Sequence, residues 1–163
     1  MKNYILLTIF SIILSSVAFG QSTVEGVLRK YRNDDNVTSI MYEGDNLKKY
    51  LKQNENIKSS VEFIDVMVFK KDTGISTKDK AKINTLLQTQ AYETLIDVKS
   101  KEGKAKVMGI SSADKLTNVY IELKAEDMSI YAMLKGSVLL AELSKIASSV
   151  NFEELSALKI LDK

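Results

Sequence analysis

The spacing of apolar residues changes along the chain between the period of a helix and the period of a strand. Between Val24 and Tyr31 the apolar residues fall at i, i+3, i+4 and i+7, which predicts a short helix with one buried stripe. Ser22 and Glu25 have the spacing of a capping box, in which both side chains bond to backbone N–H groups of the first turn. We therefore expect the first helix of the domain to begin near Ser22.

A strand, a polar connection and a second strand follow this helix. Val37 to Tyr42 has the composition of a strand, and the polar stretch through Leu47 to Leu51 is predicted to be helical. Val61 to Phe69 is the most strand-like run of the chain. Because both of its faces are largely apolar, we expect it to lie in the centre of a sheet.

A second helix is predicted after Ser76, which forms a cap with Asp79. Its inward-facing residues are Ile83, Leu86 and Leu87. The end of this helix near Ala91 stays open at this point, because the helical spacing could continue to Leu95.

Four strand-like runs separated by turn signals make up most of the second half of the chain. They are about Tyr92–Val98, Lys104–Ile110, Asn118–Leu123 and Met128–Lys135. Such tight spacing favours an antiparallel meander.

Gly136 is predicted to break the last strand and to start a C-terminal helix. The apolar stripe of that helix is Val138, Leu139, Leu143, Ile146 and Val150. Asn151 then caps a final helical turn or two that carries Phe152, Leu155 and Leu158. The fold class predicted from all these elements is α+β, with two layers. A mostly antiparallel sheet of about six strands packs under helices on one face, and its other face is expected to be partly solvated.

The first 20 residues have the pattern of a cleavable secretory signal peptide. Lys2 supplies a positive charge, Ile5 to Phe19 is apolar apart from small hydroxyl residues, and Ala18 and Gly20 are small residues where signal peptidase requires them. The apolar run has about 15 residues, whereas a membrane-spanning helix needs about 20. We therefore expect a signal peptide over 1–20 and one α+β domain over 21–163, exported to the periplasm or the exterior and without a lipid anchor.

Composition changes the picture mainly by what it excludes. The 23 basic and 21 acidic residues are interspersed, so no basic block indicates nucleic-acid binding. The chain has no Cys and no His, which excludes disulfides, zinc sites built on these residues, and Ser-His-Asp or Cys-His catalysis. No cofactor and no transition metal are expected.

Two short motifs suggest chemistry, but both are better explained as turns. Ser112 and Lys115 match S-x-x-K, in which a Lys activates a Ser nucleophile, but here the motif falls in a predicted hairpin turn. Asn33 to Asn36 offers clustered oxygens for a cation such as calcium, without the alternating pattern of a calcium loop. These residue types also favour turns.

Buried or paired carboxylates are the remaining candidates. Asp65 interrupts the most apolar strand, and it is either a functional carboxylate, an ion-pair partner or an exposed side chain. Glu142 with Glu153 and Glu154 could form an acid–base pair, although solvated helix faces explain them better. Met108, Met128 and Met133 could line a binding surface, but core positions are the simpler interpretation. No catalytic, cofactor-binding or metal-binding residue is assigned.

Parts of the chain resemble a bacterial family of exported proteins, domain of unknown function 4252, which is common in Bacteroidetes. The similarity lies in Tyr92 to Val98, in the strand pair turned at Glu102 to Lys104, and in Leu134 to Ser137. Leu143 to Ile146 fits the (I/L)-S-K-(L/I) end of the family's helix, whereas Leu139 stands where the family usually has an acid or an amide.

The resemblance covers about Val24 to Ile146 and is strongest after Tyr92. It implies an exported protein. Members are often lipoproteins, but this chain lacks the Cys that carries the lipid. The family brings no known catalytic residues.

We expect a non-enzymatic domain that binds another component of the cell envelope, either a protein or a ligand. One alternative is a carboxylate-based hydrolase, which two opposed carboxylates in a cleft would favour. The other is a structural or adhesin-like surface protein, which a large exposed apolar patch or an unpaired sheet edge would favour.

Overall fold

The computed structural model of the protein describes residues 23–52, 58–70, 73–101 and 103–143. These residues form an α+β fold with one antiparallel sheet of six strands and few helices. The helices are α1 (Val24–Leu28), α2 (Gly44–Lys52) and α3 (Thr77–Thr89), with 3-10 turns at Arg29–Tyr31 and Leu140–Glu142. The strands are β1 (Val37–Glu43), β2 (Ser60–Lys70), β3 (Glu93–Lys99), β4 (Gly103–Ser112), β5 (Lys115–Ala125) and β6 (Met128–Leu139).

The strand order in the sheet is β1-β2-β6-β5-β4-β3, and every neighbouring pair is antiparallel. The meander predicted for the second half of the chain is confirmed, because β3, β4, β5 and β6 follow one another in space. β2 lies between β1 and β6, as its two apolar faces predicted.

The two faces of the sheet differ in chemistry. The face under α1 and α3, here called the helix-covered face, is rich in aromatic and methionine side chains. Its buried strand residues are Phe63, Met67, Phe69, Met108, Tyr120, Tyr131 and Met133. Met108 and Met133 are thus core residues, as the simpler interpretation predicted.

The opposite face, here called the aliphatic face, is also buried, so the expectation of a partly solvated face was wrong. Its central strand residues are Ile64, Val66, Val68, Ala105, Val107, Val119, Ile121, Leu123, Ile130, Ala132 and Leu134. Ala105 and Val119 have no exposed surface. Burial of apolar surface stabilises a fold by about 25 cal/mol per Å², so exposure of this face to water would lose that amount for each Å² exposed. Leu47 of α2 and Leu143 belong to this cluster.

Gly136 does not break the last strand, which was the main error in the predicted elements. β6 continues to Leu139, so Val138 and Leu139 belong to a strand and not to a helix. Gly136 lies opposite Val61 with a φ of 134°, and a Cβ atom here would lie 2.2 Å from the Ser60 carbonyl oxygen. The glycine therefore permits a close approach of two strands rather than a turn.

The rest of the predicted C-terminal helix, from Ile146, and the segment after Asn151 lie outside the described residues. Leu143, the last described residue, is helical and buried. The predicted signal peptide over 1–20 also lies outside them. None of the described helices has the length and apolar character needed to cross a bilayer.

The ends of the helices follow local side-chain chemistry. Thr23, and not Ser22, caps α1, and its hydroxyl accepts a hydrogen bond from the Gly26 N–H at 3.0 Å. The predicted cap of α3 is confirmed, because the Ser76 hydroxyl accepts from the Asp79 N–H at 3.2 Å.

Candidate functional site: a lysine groove

The two short motifs that suggested chemistry in the sequence both form turns in the structure. Ser112 and Lys115 pair across the β4–β5 hairpin, and Ala113 has a left-handed φ of 56°. In the cluster at Asn33 to Asn36, Asp34 Oδ1 accepts from the Asn36 N–H at 2.9 Å, which is a turn-forming contact. The turn interpretation of both motifs is confirmed. The described residues contain no group of three or more His, Cys, Asp or Glu side chains placed to share a metal ion.

Asp65 is part of a structural ion pair on the helix-covered face. Arg32 Nη2 donates to Asp65 Oδ2 at 2.6 Å, and the Asp65 side chain is 1% exposed. Burial raises the pKa of Asp65, although the Arg32 charge acts in the opposite direction. Nearby, Glu25 accepts from both Arg29 and Lys135. Burial tends to raise the pKa of Glu25, but contacts with these two cations outweigh it and hold the pKa below its usual value.

The Glu142 carboxylate connects two segments of the chain. Its carboxylate accepts from the N–H groups of Lys58 and Ser59 and from the Ser59 hydroxyl, at 2.6 to 3.0 Å. Ser59 Oγ in turn accepts from the Leu139 N–H at 3.0 Å. These bonds join the start of β2 to the end of β6. Glu153 and Glu154, the other members of the proposed pair, lie outside the described residues.

A group of lysines that no sequence motif indicated lies at one end of the helix-covered face. On β4, Lys104 and Lys106 alternate with Ala105 and Val107 of the aliphatic face. On β5, Lys124 occupies the helix-covered face in the same way. Side chains of successive residues point to opposite faces of a strand, so this alternation gathers the charges on one side.

The register of the strands gives Lys104 two positively charged neighbours. Lys104 lies directly opposite Lys99 on β3 and Lys124 on β5. Side chains in such positions have Cβ atoms about 4.5–5.5 Å apart, and like charges there are destabilising. Lys106, one position further along the face, instead lies opposite Asp97 and Glu122. Of the two lysines on this face of β4, Lys104 is therefore the one with like-charged cross-strand partners.

Helix α3 places a further lysine over these strands. Lys80, Ile83 and Asn84 of α3 form one wall of a hollow of about 240 Å³. We call this hollow the lysine groove. Its strand-side residues are Lys104, Lys106, Tyr120, Glu122 and Lys124.

The position of Lys80 is fixed by the residue before it. Asp79 accepts hydrogen bonds from Lys30 Nζ and from the Tyr31 hydroxyl, both at 2.8 Å. The Tyr31 hydroxyl also accepts from the Ser76 N–H at 2.9 Å, and the Tyr31 ring packs edge-on against Phe69. The first turn of α3 is thus tied to the 3-10 turn at Arg29–Tyr31. The contacts with Lys30 and Tyr31 lower the pKa of Asp79.

Electrostatics inside the groove are unusual for lysine. The neighbouring Lys124 amine lowers the pKa of Lys80, and burial acts in the same direction. Lys124 also forms an ion pair with Glu122, at 3.2 Å. Burial and the Glu122 charge raise the pKa of the Tyr120 phenol, so that residue stays neutral. Because the amines of Lys80 and Lys124 are neighbours, an anion that binds beside them would be attracted by both.

A second hollow of about 400 Å³ adjoins the groove at the β3–β4 and β5–β6 turns. It shares Lys104 and Lys124 with the groove and adds Lys99, Lys101 and Glu126. The lysines that line the two hollows are Lys80, Lys99, Lys101, Lys104, Lys106 and Lys124. With Glu122 and Glu126 they give a formal charge of +4 among the described lining residues, whereas the whole chain carries +2. Glu102, in the β3–β4 turn, lies outside the described residues.

Sequence reasoning missed this site because the charges are dispersed along the chain. The available signal was an alternation of lysine with aliphatic residues on β4 and β5, at Lys104, Lys106 and Lys124. Only the register of the sheet and the position of α3 bring these residues next to Lys80 and Lys99.

Comparison with known proteins adds no relative: no family model, no curated protein and no solved structure matches the chain. The resemblance to domain of unknown function 4252 therefore stays a prediction. The candidate site rests on its geometry alone.

Proposed function

We propose that this protein is a binding domain that holds a multiply charged oxyanion, of the phosphate type, in the lysine groove. The observation that carries the proposal is the position of Lys104 between Lys99 and Lys124, beside a hollow that Lys80 also lines. A sheet without a ligand is destabilised by such neighbours. An anion between them replaces repulsion by charge-assisted hydrogen bonds.

The size and lining of the groove support a small, strongly charged group. Ligand pockets for whole organic molecules usually have about 300–1,000 Å³ and mainly apolar walls. The groove has about 240 Å³, and four of its eight lining residues are lysines. Lysine binds phosphate as a compact point charge with three donors.

Binding is favoured over catalysis by the state of the carboxylates. Asp65 and Glu142 are buried, but each is held in a structural contact with a neighbouring segment. Glu25 is held by two cations. Each of these three carboxylates thus takes part in a contact that holds segments of the fold together. An adhesin-like role receives little support from the exposed large apolar residues among the described segments, because Met41, Val98 and Leu140 are scattered singly.

We also propose that the protein acts outside the cytoplasm, after removal of residues 1–20. This part rests on the predicted signal peptide and on the resemblance to domain of unknown function 4252. The ligand is then an anion of the cell envelope or its surroundings.

Titration with inorganic phosphate, followed by amide chemical shifts at low ionic strength, tests the binding proposal. We expect shifts concentrated on β4, β5 and the first turns of α3, and their loss in Lys80→Ala. Lys82→Ala is the matched control, because Lys82 is an exposed lysine on the same helix. Equal weakening by the two substitutions, or shifts spread over all lysine-bearing surfaces, would show general charge attraction and refute the proposal.

A further inference from the structure

A row of three lysines crosses the sheet at the end that carries the β3–β4 and β5–β6 turns. Lys99, Lys104 and Lys124 stand directly opposite one another on three adjacent strands. Because neighbouring strands are about 4.8 Å apart, the row extends over about 10 Å.

The row is shared by the two hollows. Lys104 and Lys124 line both of them, whereas Lys80 lines only the lysine groove and Lys99 and Lys101 line only the second hollow. A single phosphate in the groove would leave the repulsion between Lys99 and Lys104 in place. A longer anion that crosses the row would relieve both lysine pairs.

We propose that the ligand is a chain of linked phosphate groups that lies across the row and places anionic groups in both hollows. This inference rests on the proposed phosphate-type binding and adds the length of the ligand to it. The described residues that line the two hollows supply lysine amines, and lysine binds phosphate as a compact point charge with three donors. The comparison with citrate in the experiment below tests phosphate against carboxylate.

Single-stranded nucleic acid also carries linked phosphates, but its sites usually supply aromatic faces on which the bases stack. Tyr120 is the aromatic residue among the described lining residues, and it is only 2% exposed. Its ring is not offered to a base. The lining therefore fits a phosphate chain without bases.

Calorimetric titration of the full chain with phosphate, pyrophosphate and tripolyphosphate, at one fixed low ionic strength, tests the inference. We expect Lys99→Ala/Lys101→Ala to weaken tripolyphosphate binding about tenfold, the value of roughly one charge-assisted contact. The same variant should leave phosphate binding within about twofold, because neither of the two lysines lines the lysine groove. Lys78→Ala/Lys82→Ala removes the same charge from exposed positions of α3 and should change neither affinity.

The other possible outcomes distinguish a failure of the extended ligand from a failure of the proposed binding function. If phosphate binding depends on Lys80 but Lys99→Ala/Lys101→Ala leaves tripolyphosphate unchanged, the extended ligand is wrong and the binding function stands. If none of the three anions binds, the proposed function fails as well. Citrate, a carboxylate trianion, binding as tightly as tripolyphosphate would refute the choice of phosphate. A single-stranded oligonucleotide binding more tightly than tripolyphosphate would replace the phosphate chain by nucleic acid.

Discussion

At the scale of single residues, Lys104 and Lys106 share a strand and a face but differ in their neighbours. Lys104 stands between two lysines, whereas Lys106 stands between Asp97 and Glu122. Cross-strand charge pairs are worth about 0.2–1 kcal/mol each. The same change of residue type should therefore have opposite effects at the two positions.

We predict that Lys104→Thr raises the free energy of unfolding of the ligand-free protein by a few tenths to about 1 kcal/mol, because it removes two repulsive pairs. Lys106→Thr removes two attractive pairs and should lower it by a similar amount. Urea denaturation at low and high salt measures both, and salt should reduce both effects. Phosphate binding should weaken in Lys104→Thr although the fold becomes more stable. A Lys104→Thr protein that is less stable than the unsubstituted one would contradict the repulsion.

The Arg32–Asp65 pair gives a prediction about pH. Removing one partner of a buried pair leaves an uncompensated charge, so Arg32→Gln should destabilise the protein by about 3 kcal/mol at neutral pH. Arg29→Gln breaks a more exposed pair, and it should cost about 1 kcal/mol or less.

The sign of the pH dependence follows from the raised pKa of Asp65. A group whose pKa is higher in the folded state favours folding most below its unfolded value and loses that contribution as pH rises through the folded pKa. Loss of Arg32 raises the pKa further, so the destabilisation in Arg32→Gln should shrink as pH falls toward 4. Denaturant midpoints measured across this pH range check it, and a pH-independent loss would show that Asp65 is not the source.

At the scale of elements, the end of α3 is set by one residue in a left-handed conformation. Ala91 has a φ of 58°, the Tyr92 N–H donates to the Leu87 carbonyl at 2.9 Å, and the Ala91 N–H donates to the Gln88 carbonyl at 3.2 Å. This pair of bonds is a Schellman motif, which usually has glycine where Ala91 stands.

We predict that Ala91→Gly stabilises the protein by about 0.5–1 kcal/mol, since the relief of left-handed strain exceeds the entropy that glycine loses on folding. Ala81→Gly is the matched control, because it places glycine in the exposed interior of the same helix and should cost about 1 kcal/mol. Thermal unfolding of the two variants separates them. Destabilisation by both substitutions would disprove the strain at Ala91.

The same comparison shows how much of the fold the sequence could predict. Each of the strands in the described part of the chain was located, because the period of its apolar residues is a local property. The end of α3 near Ala91 stayed open, since an alanine gives no left-handed signal. Gly136 was misjudged as a turn because its role depends on the carbonyl group of Ser60, which lies on the neighbouring strand and 76 positions earlier in the chain. Effects that depend on such distant neighbours leave no local pattern.

At the scale of the whole molecule, the sheet carries two buried clusters and a charged end. The lysine groove could not be predicted, because its residues come from α3, β4 and β5 and only the register joins them. Asp65 could be recognised as exceptional from its apolar surroundings alone, but its partner Arg32 could not. The local pattern of apolar and polar residues therefore predicts the helices and strands. The lysine groove, in contrast, depends on contacts between residues that are far apart in the chain.

The aliphatic face provides a test of the packing after β6. Leu143 is 9% exposed and belongs to the aliphatic cluster, whereas Leu140, one turn earlier, is 52% exposed. We predict that Leu143→Ala lowers the free energy of unfolding by about 2–3 kcal/mol. Leu140→Ala should change it by no more than about 0.5 kcal/mol. Denaturant titration compares the two, and equal midpoints would contradict the packing of Leu143 on this face.

The most direct test of the account is the pKa of Lys80, measured by NMR titration of its side-chain carbon signals with and without saturating pyrophosphate. The account predicts that Lys80 in the free protein has a pKa below the usual value of a lysine, because Lys124 lies beside it. Pyrophosphate should raise the pKa of Lys80, since an anion in the groove stabilises the charged amine. A Lys80 whose pKa is not lowered in the free protein, and does not rise when pyrophosphate is added, would contradict an anion site in the lysine groove.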